Sequence, residues 1–361
     1  MHGMSTNKRL PQLEGLRFVM CCVIIVSHLE FLENSTQIGG YVKYFHNPTM
    51  AVDYFFMLSG FGLCLSTKRP SITFRNCIRY AICKIKKIYF AYIDSLIVSI
   101  PTYFLILKNY GSSIKAIIKT VLFFTIDITL LQSLTGVSSV SHSINGVCYA
   151  IAPILLCVTD KIKSVNQAVG CLAGLILLIE LFSVIALQIE SLTGFDDLWY
   201  GHPFIRCWYL AVGMVIGVVY KIGKLTFNSR VEILIVGISL IYYFTRNSFL
   251  AGLSQNVLRL IDVIMCASLL FVISDSKGRV TQVLSKDYMV RLGQLTMFLF
   301  IFHYPARMIV TVMFDRISCL AEMGEIKYPI EVVCIIGITI ALTYIAAYKG
   351  QHLKKLLPDN N

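Results

Sequence analysis

Residues 14–29 read E-G-L-R-F-V-M-C-C-V-I-I-V-S-H-L, an apolar segment broken by Arg17 near one end and His28 near the other. Eleven helical steps of about 100° each bring the second side chain round by roughly 1,100°, three turns plus about 20°. Arg17 and His28 therefore share one helix face. At about 1.5 Å per residue they stand roughly 16 Å apart along the axis, half the hydrocarbon thickness of a bilayer. A helix of this kind belongs in a membrane, and ionisable groups inside a membrane are costly enough to be read first as functional. The plainer alternative is an arginine that snorkels to the surface and a histidine that hydrogen-bonds a neighbouring helix.

The rest of the chain repeats the apolar theme. Of its 361 residues 56% are hydrophobic and 14% charged, and the mean hydropathy is +0.71, which excludes an ordinary soluble protein. Apolar stretches near 15–34, 48–67, 88–107, 142–158, 167–188, 204–220, 231–246, 257–274, 290–313 and 330–348 predict about ten transmembrane helices. The expectation is an all-α, polytopic helix bundle forming a single membrane domain over 1–361. No small-residue cleavage site follows the first stretch, which reads as a retained helix and not as a signal peptide. The twelve cysteines include no C-x-x-C pair and lie mostly in apolar runs, so they read as core residues, with no metal site expected.

Charge sets the expected orientation. Residues 67–87 carry seven Lys or Arg and no acid, the strongest cytoplasmic marker in the chain. Lys8 and Arg9, Lys161 with Lys163, Lys221 with Lys224 and Arg230, and Lys277 with Arg279 mark further inner loops, and the carboxyl end is basic too. Both termini are therefore expected in the cytoplasm. The net charge of +12 follows from these loops and does not point to nucleic acid. The segment 114–134 is apolar, but a crossing there would turn every later basic loop outward, and it holds Asp127 and Gln132. It is expected to be interfacial or re-entrant.

In this topology Arg17 lies near the inner surface and His28 toward the outer side. His303 in the ninth span reaches a similar depth, and Asp53, Asn145, Tyr149 and Arg206 enter their spans from outside. A polar outer cavity is expected from these residues, although an interfacial anchor is the alternative for each alone. Histidine can take a hydroxyl proton and return it, and Asp53 or Glu30 could orient its ring. No G-x-S-x-G elbow or Cys–His nucleophile is evident, which favours direct transfer over a covalent enzyme intermediate. On the inner side Arg17, Arg79, Lys84 and Lys87 could bind a phosphate-rich ligand, with attraction to anionic lipid as the alternative.

These residues resemble membrane-bound acyltransferase family 3, the O-acyltransferases that modify cell-surface glycans. L-E-G-L-R followed by ten residues and His28 resembles the family's Arg-x10-His signature, with Glu14 where Asp is common. A-V-D-Y-F-F-M-L-S-G-F-G-L, K-I-K-K-I-Y-F-A-Y, F-I-R-C-W-Y-L-A-V-G-M-V-I-G and L-G-Q-L-T-M-F-L-F-I-F-H-Y-P resemble later blocks in the same order, from about 10 to 350. Lys84 and Lys87 replace arginines, Phe90 stands where proline is usual, and S-H-S-I-N-G-V-C-Y-A-I-A-P lacks a customary Trp and Glu. The resemblance implies an acyl-CoA donor on the cytoplasmic side and acylation of a glycan hydroxyl, with Arg17 and His28 essential and Arg17 on the donor side.

The expected function is thus a multi-pass enzyme of a bacterial inner membrane that carries an acyl group, acetyl from acetyl-CoA, to a hydroxyl of a surface or exported polysaccharide or its lipid-linked precursor. His28, Arg17 and Asp53 are the expected catalytic residues. Arg17, Arg79, Lys84 and Lys87 are expected to hold the donor, and Glu30, Asn145, Arg206 and His303 the acceptor. Two other classes stay open: a transporter or flippase for a glycan or lipid, and a non-catalytic subunit of polysaccharide export.

Overall fold

The computed structural model of the protein describes residues 10–66, 72–109, 146–193, 203–223 and 226–356, with a few single positions between 114 and 125. Its regular elements are all helical. The principal ones are α1 (Pro11–Ser27), α2 (Pro48–Leu65), α3 (Phe74–Asn109), α4 (Gly146–Thr159), α5 (Val165–Thr193), α6 (Pro203–Ile222), α7 (Ser229–Thr245), α8 (Gln255–Asp275), the short α9 (Arg279–Leu284), α10 (Asp287–Arg316) and α11 (Lys327–Leu356). A helix lies at each of the ten predicted stretches. Among the described residues six segments are long and apolar enough to cross a membrane: Pro48–Leu65, Val165–Ile189, Ile205–Ile222, Gln255–Asp275, Asp287–Arg316 and Gly324–Lys349. The interfacial segment expected at 114–134, and Asn145, lie outside the described residues apart from those single positions.

Local sequence explains several boundaries. Pro11 and Pro48 open α1 and α2, where a missing N–H costs no hydrogen bond. Asn228 and Ser254 cap α7 and α8 by accepting backbone N–H groups of the first turn. With 36 residues, α3 is roughly 54 Å long at about 1.5 Å per residue, more than a bilayer core of about 30 Å needs. Its first fourteen residues, F-R-N-C-I-R-Y-A-I-C-K-I-K-K, carry five of its six basic residues.

The centre of the bundle is α2 against α6, the most extensive helix pair, joined by α1 and α8. Tyr54, Met57, Phe61, Tyr209, Val212, Val215 and Cys266 fill this core. Two glycines set the closeness of the pair. A Cβ on Gly60 would collide with the Leu210 carbonyl, and one on Gly213 with the Met57 carbonyl. Lipid offers apolar side chains no advantage in clustering, so close backbone packing at small residues is what brings membrane helices together. Gly15 and Gly293 do the same for α1, against Leu284 and Glu14. By contrast α5 and α11 keep large apolar side chains exposed, among them Leu177, Leu181, Val333 and Tyr344. This is the surface a helix offers to hydrocarbon.

One boundary differs from expectation in a way that matters for the site. The first apolar stretch, predicted over 15–34, leaves the α-helix at Ser27, and residues Glu30–Asn34 form a separate 3-10 turn. The cause is tertiary. The Ser27 hydroxyl reaches the Val23 and Phe45 carbonyls at 2.8 and 3.1 Å and accepts the Asn47 N–H at 3.2 Å. His46 Nδ1 donates to the Ser27 carbonyl at 2.9 Å. Tyr243 donates to the Phe45 carbonyl at 2.6 Å, and Asn247 to that of His46. The 45–47 segment, held by α7, thus takes up hydrogen bonds at the end of α1.

Candidate active site

His28 is the residue at which α1 stops. Its backbone N–H closes the helix on the Ile24 and Ile25 carbonyls, at 3.2 and 3.1 Å, while its own φ and ψ of −90° and 13° leave the helical range. The chain then turns, and Glu30 comes back to the ring: its Oε1 lies 3.9 Å from His28 Nδ1. The other carboxylate oxygen accepts from Arg307 Nη2 at 3.2 Å. One acid therefore faces both an imidazole on the first helix and a guanidinium on α10.

From α10 come two more rings. The His303 ring centre lies 5.2 Å from that of His28, tilted by 31°, and Tyr304 meets His28 edge-on at 5.7 Å. Arg307 sits over the Tyr304 ring at 5.7 Å. His303 and Arg307 are one helical turn apart and so lie on one face. Pro305 interrupts the same turn, since it has no N–H for the Ile301 carbonyl. Exposure is graded across the group: the side chains of Glu30, His28 and Arg307 are 40%, 29% and 20% exposed, whereas His303 is 5% exposed. The cluster is open on its His28 and Glu30 side and closed behind His303.

Asp53 and Arg206 are elsewhere. They form an ion pair with each other between α2 and α6, with side chains 1% and 2% exposed. The Arg206 guanidinium also lies over Phe56 and Tyr209, at 5.3 and 5.2 Å. This geometry corrects two expectations. Asp53 pairs with Arg206, so of the two carboxylates expected to orient His28 the one beside the ring is Glu30; and Arg206 lies in the core, away from the His28 cluster. The cause is the tight α2–α6 contact, which desolvates both charges and leaves each the other's partner. A second buried pair follows the same rule: Arg246 donates to Asp262 at 2.9 Å, and Asp262 also accepts from Tyr242 at 2.9 Å.

The other end of the reading face is Arg17, 36% exposed and paired with Glu14 at 2.8 Å. Its charge reaches the phenols of Tyr54 and Tyr149. The Lys84 ammonium stands over the Tyr80 ring at 5.2 Å. Burial and the neighbouring Lys87 charge hold Lys84 below its ordinary pKa. Arg79 and Lys87 are exposed on the same helix. Lys84 thus packs on Tyr80, while Arg79 and Lys87 remain at the surface of α3.

The sequence leaves Arg307 open between an interfacial anchor and a site residue, and does not single out Tyr304 or Tyr80. For Arg307 a signal was present, the four-residue spacing from His303. The same four-residue spacing on α3 puts Tyr80 beside Lys84.

One comparison with known proteins bears on the chemistry. The family model for an acyltransferase domain, that of acyltransferase family 3, matches residues 10–348. No curated protein and no solved structure matches the chain.

Proposed function

Since the chain belongs to acyltransferase family 3, we propose that it is an integral membrane O-acyltransferase that moves acetyl from acetyl-CoA to a hydroxyl of a surface or exported polysaccharide or its lipid-linked precursor. The observation that carries this reading is His28 at an open helix end with the Glu30 carboxylate 3.9 Å from its Nδ1. A carboxylate there favours Nδ1–H and leaves Nε2 as the lone pair, the arrangement a general base needs. His28 Nε2 takes the hydroxyl proton as the acceptor oxygen attacks the thioester carbonyl carbon. The C–S bond then breaks, and the proton passes to the departing thiolate. Glu30 orients the ring and offsets the imidazolium charge, and Arg307 holds Glu30.

Arg17 anchors the donor. It stands roughly 16 Å along α1 from His28, so a long donor lying against this helix meets a cation well before its reacting end reaches the base. Arg79, Lys84 and Lys87 add positive charge for the phosphates. In this reading the chain crosses a bacterial inner membrane ten times, with both termini and the donor in the cytoplasm. Asp53 and Arg206 serve the fold.

Label from acetyl-CoA should appear in glycan when membranes containing the protein are supplied with a glycan extract. Absence of label with acetyl-CoA and with longer acyl-CoAs would overturn the reading and favour transport. Within the reading, Arg17→Ala should raise the acyl-CoA concentration needed for half-maximal transfer; an unchanged requirement would remove the donor role.

A further inference from the structure

His303 holds its ring in one protonation pattern. Its Nδ1 lies 2.6 Å from the Phe300 carbonyl oxygen. A carbonyl oxygen only accepts, so Nδ1 carries the hydrogen. In the neutral ring Nε2 is then a lone pair, an acceptor that cannot also donate. Among the described residues nothing hydrogen-bonds this nitrogen, although it is buried. A buried polar atom without a partner is costly, and such atoms in native proteins call for an explanation.

Where the nitrogen sits supplies one. With Nδ1 turned back to its own helix, Nε2 is the nitrogen left free on a ring whose centre is 5.2 Å from that of His28. No hydrogen bond joins the two imidazoles. The cleft thus offers two lone pairs of the same kind, whereas a single hydroxyl has one proton to give. Hydrogen bonds of about 2.8 Å to two imidazoles this close suit two hydroxyls on neighbouring carbons of one sugar ring.

We propose that His303 Nε2 accepts a hydrogen bond from a second hydroxyl of the acceptor, adjacent to the one that His28 deprotonates, so that the enzyme acts on a vicinal diol and His303 fixes which of its hydroxyls is acylated. This rests on the acyltransferase reading above. The hydroxyl held by His303 keeps its proton; the one at His28 forms the ester. The Nε2 left without a donor in the free protein gains one when acceptor binds.

The test uses the full-length protein in membranes, with His303→Gln and His303→Leu beside the wild type. The glutamine carbonyl can stand where Nε2 stands and accept the same hydrogen bond; leucine fills the space and cannot. With labelled acetyl-CoA and glycan extract, His303→Gln should keep the acceptor KM and the single position of acylation. His303→Leu should raise the acceptor KM roughly tenfold, the worth of one hydrogen bond, and spread acyl groups over neighbouring hydroxyls, as read by NMR of the product. Comparable thermal unfolding of the two variants guards against a folding defect. If leucine behaves as wild type, or glutamine fails exactly as leucine does with both proteins folded, the proposal is overturned. A wild type that acylates nothing defeats the acyltransferase reading instead. The ring itself is tested without activity: nitrogen-15 NMR of the histidine-labelled protein, with His303 assigned by difference against His303→Gln, should show hydrogen on Nδ1 alone. Hydrogen on Nε2 would overturn the proposal even if transfer occurs.

Discussion

Two acid–arginine pairs in this bundle are made of the same kinds of residue and do opposite things. Asp53 and Arg206 are joined across α2 and α6 at 1% and 2% exposure. Glu30 and Arg307 are joined across the end of α1 and α10 at 40% and 20% exposure. In the first pair both charges are sealed from water and face each other. The second is left open to solvent, and its carboxylate also faces a half-exposed histidine. Residue type does not separate a structural pair from a working one. Burial does, together with what else the acid can touch.

The widest separation between the two should come from activity. His28→Ala should abolish transfer while the protein still inserts, as measured by label in glycan against protein in the membrane. A fully active His28→Ala protein would leave the open cluster without a role. For the closed pair the effect falls on stability. Removing one partner of a buried ion pair strands a charge, a loss of about 3–5 kcal/mol. Asp53→Ala should therefore lower the thermal unfolding temperature in detergent sharply. The apolar double variant Asp53→Leu with Arg206→Leu should recover much of that loss. Should Asp53→Ala unfold like the wild type yet lose transfer, Asp53 would belong with the open cluster after all.

Close packing around the closed pair makes the next prediction. Gly213→Ala pushes a methyl into the Met57 carbonyl, and overpacking of this sort costs about 1–3 kcal/mol. The same unfolding measurement should show a clear but smaller drop, and no change would mean that the α2–α6 backbones are not in contact. Smallest is the stability effect of the open pair. Glu30→Gln should change unfolding by less than about 1 kcal/mol, as for exposed ion pairs generally. It should nevertheless slow transfer by about tenfold through His28, visible as a lower kcat at unchanged acceptor KM. A Glu30→Gln protein that is as unstable as Asp53→Ala would erase the contrast.

Much of the architecture could be read from the chain because the helix signal is local. Runs such as 167–188 and 257–274 are long, apolar and bounded by polar residues, and α5 and α8 lie on them. The end of α1 could not be read this way. Nothing within L-R-F-V-M-C-C-V-I-I-V-S-H-L-E-F-L stops a helix at Ser27; the 45–47 segment and Tyr243 and Asn247 of the α7 region do so, from 18 residues away and more. Partner choice was equally hidden. Asp53 and Arg206 are 153 positions apart and Glu30 and Arg307 277, so depth alone leaves both Asp53 and Glu30 open as the carboxylate beside His28. The pairing of His28 with His303 was legible, because both lie toward the same end of their segments, and the structure brings the two rings together.

The central claim is that the open end of α1 is a base and not merely a polar cap. It is tested most directly by acyl transfer from labelled acetyl-CoA to glycan extract in membranes holding the wild type or His28→Ala at equal protein. Label in glycan with the wild type alone is the predicted result. Equal label with both proteins would contradict the account.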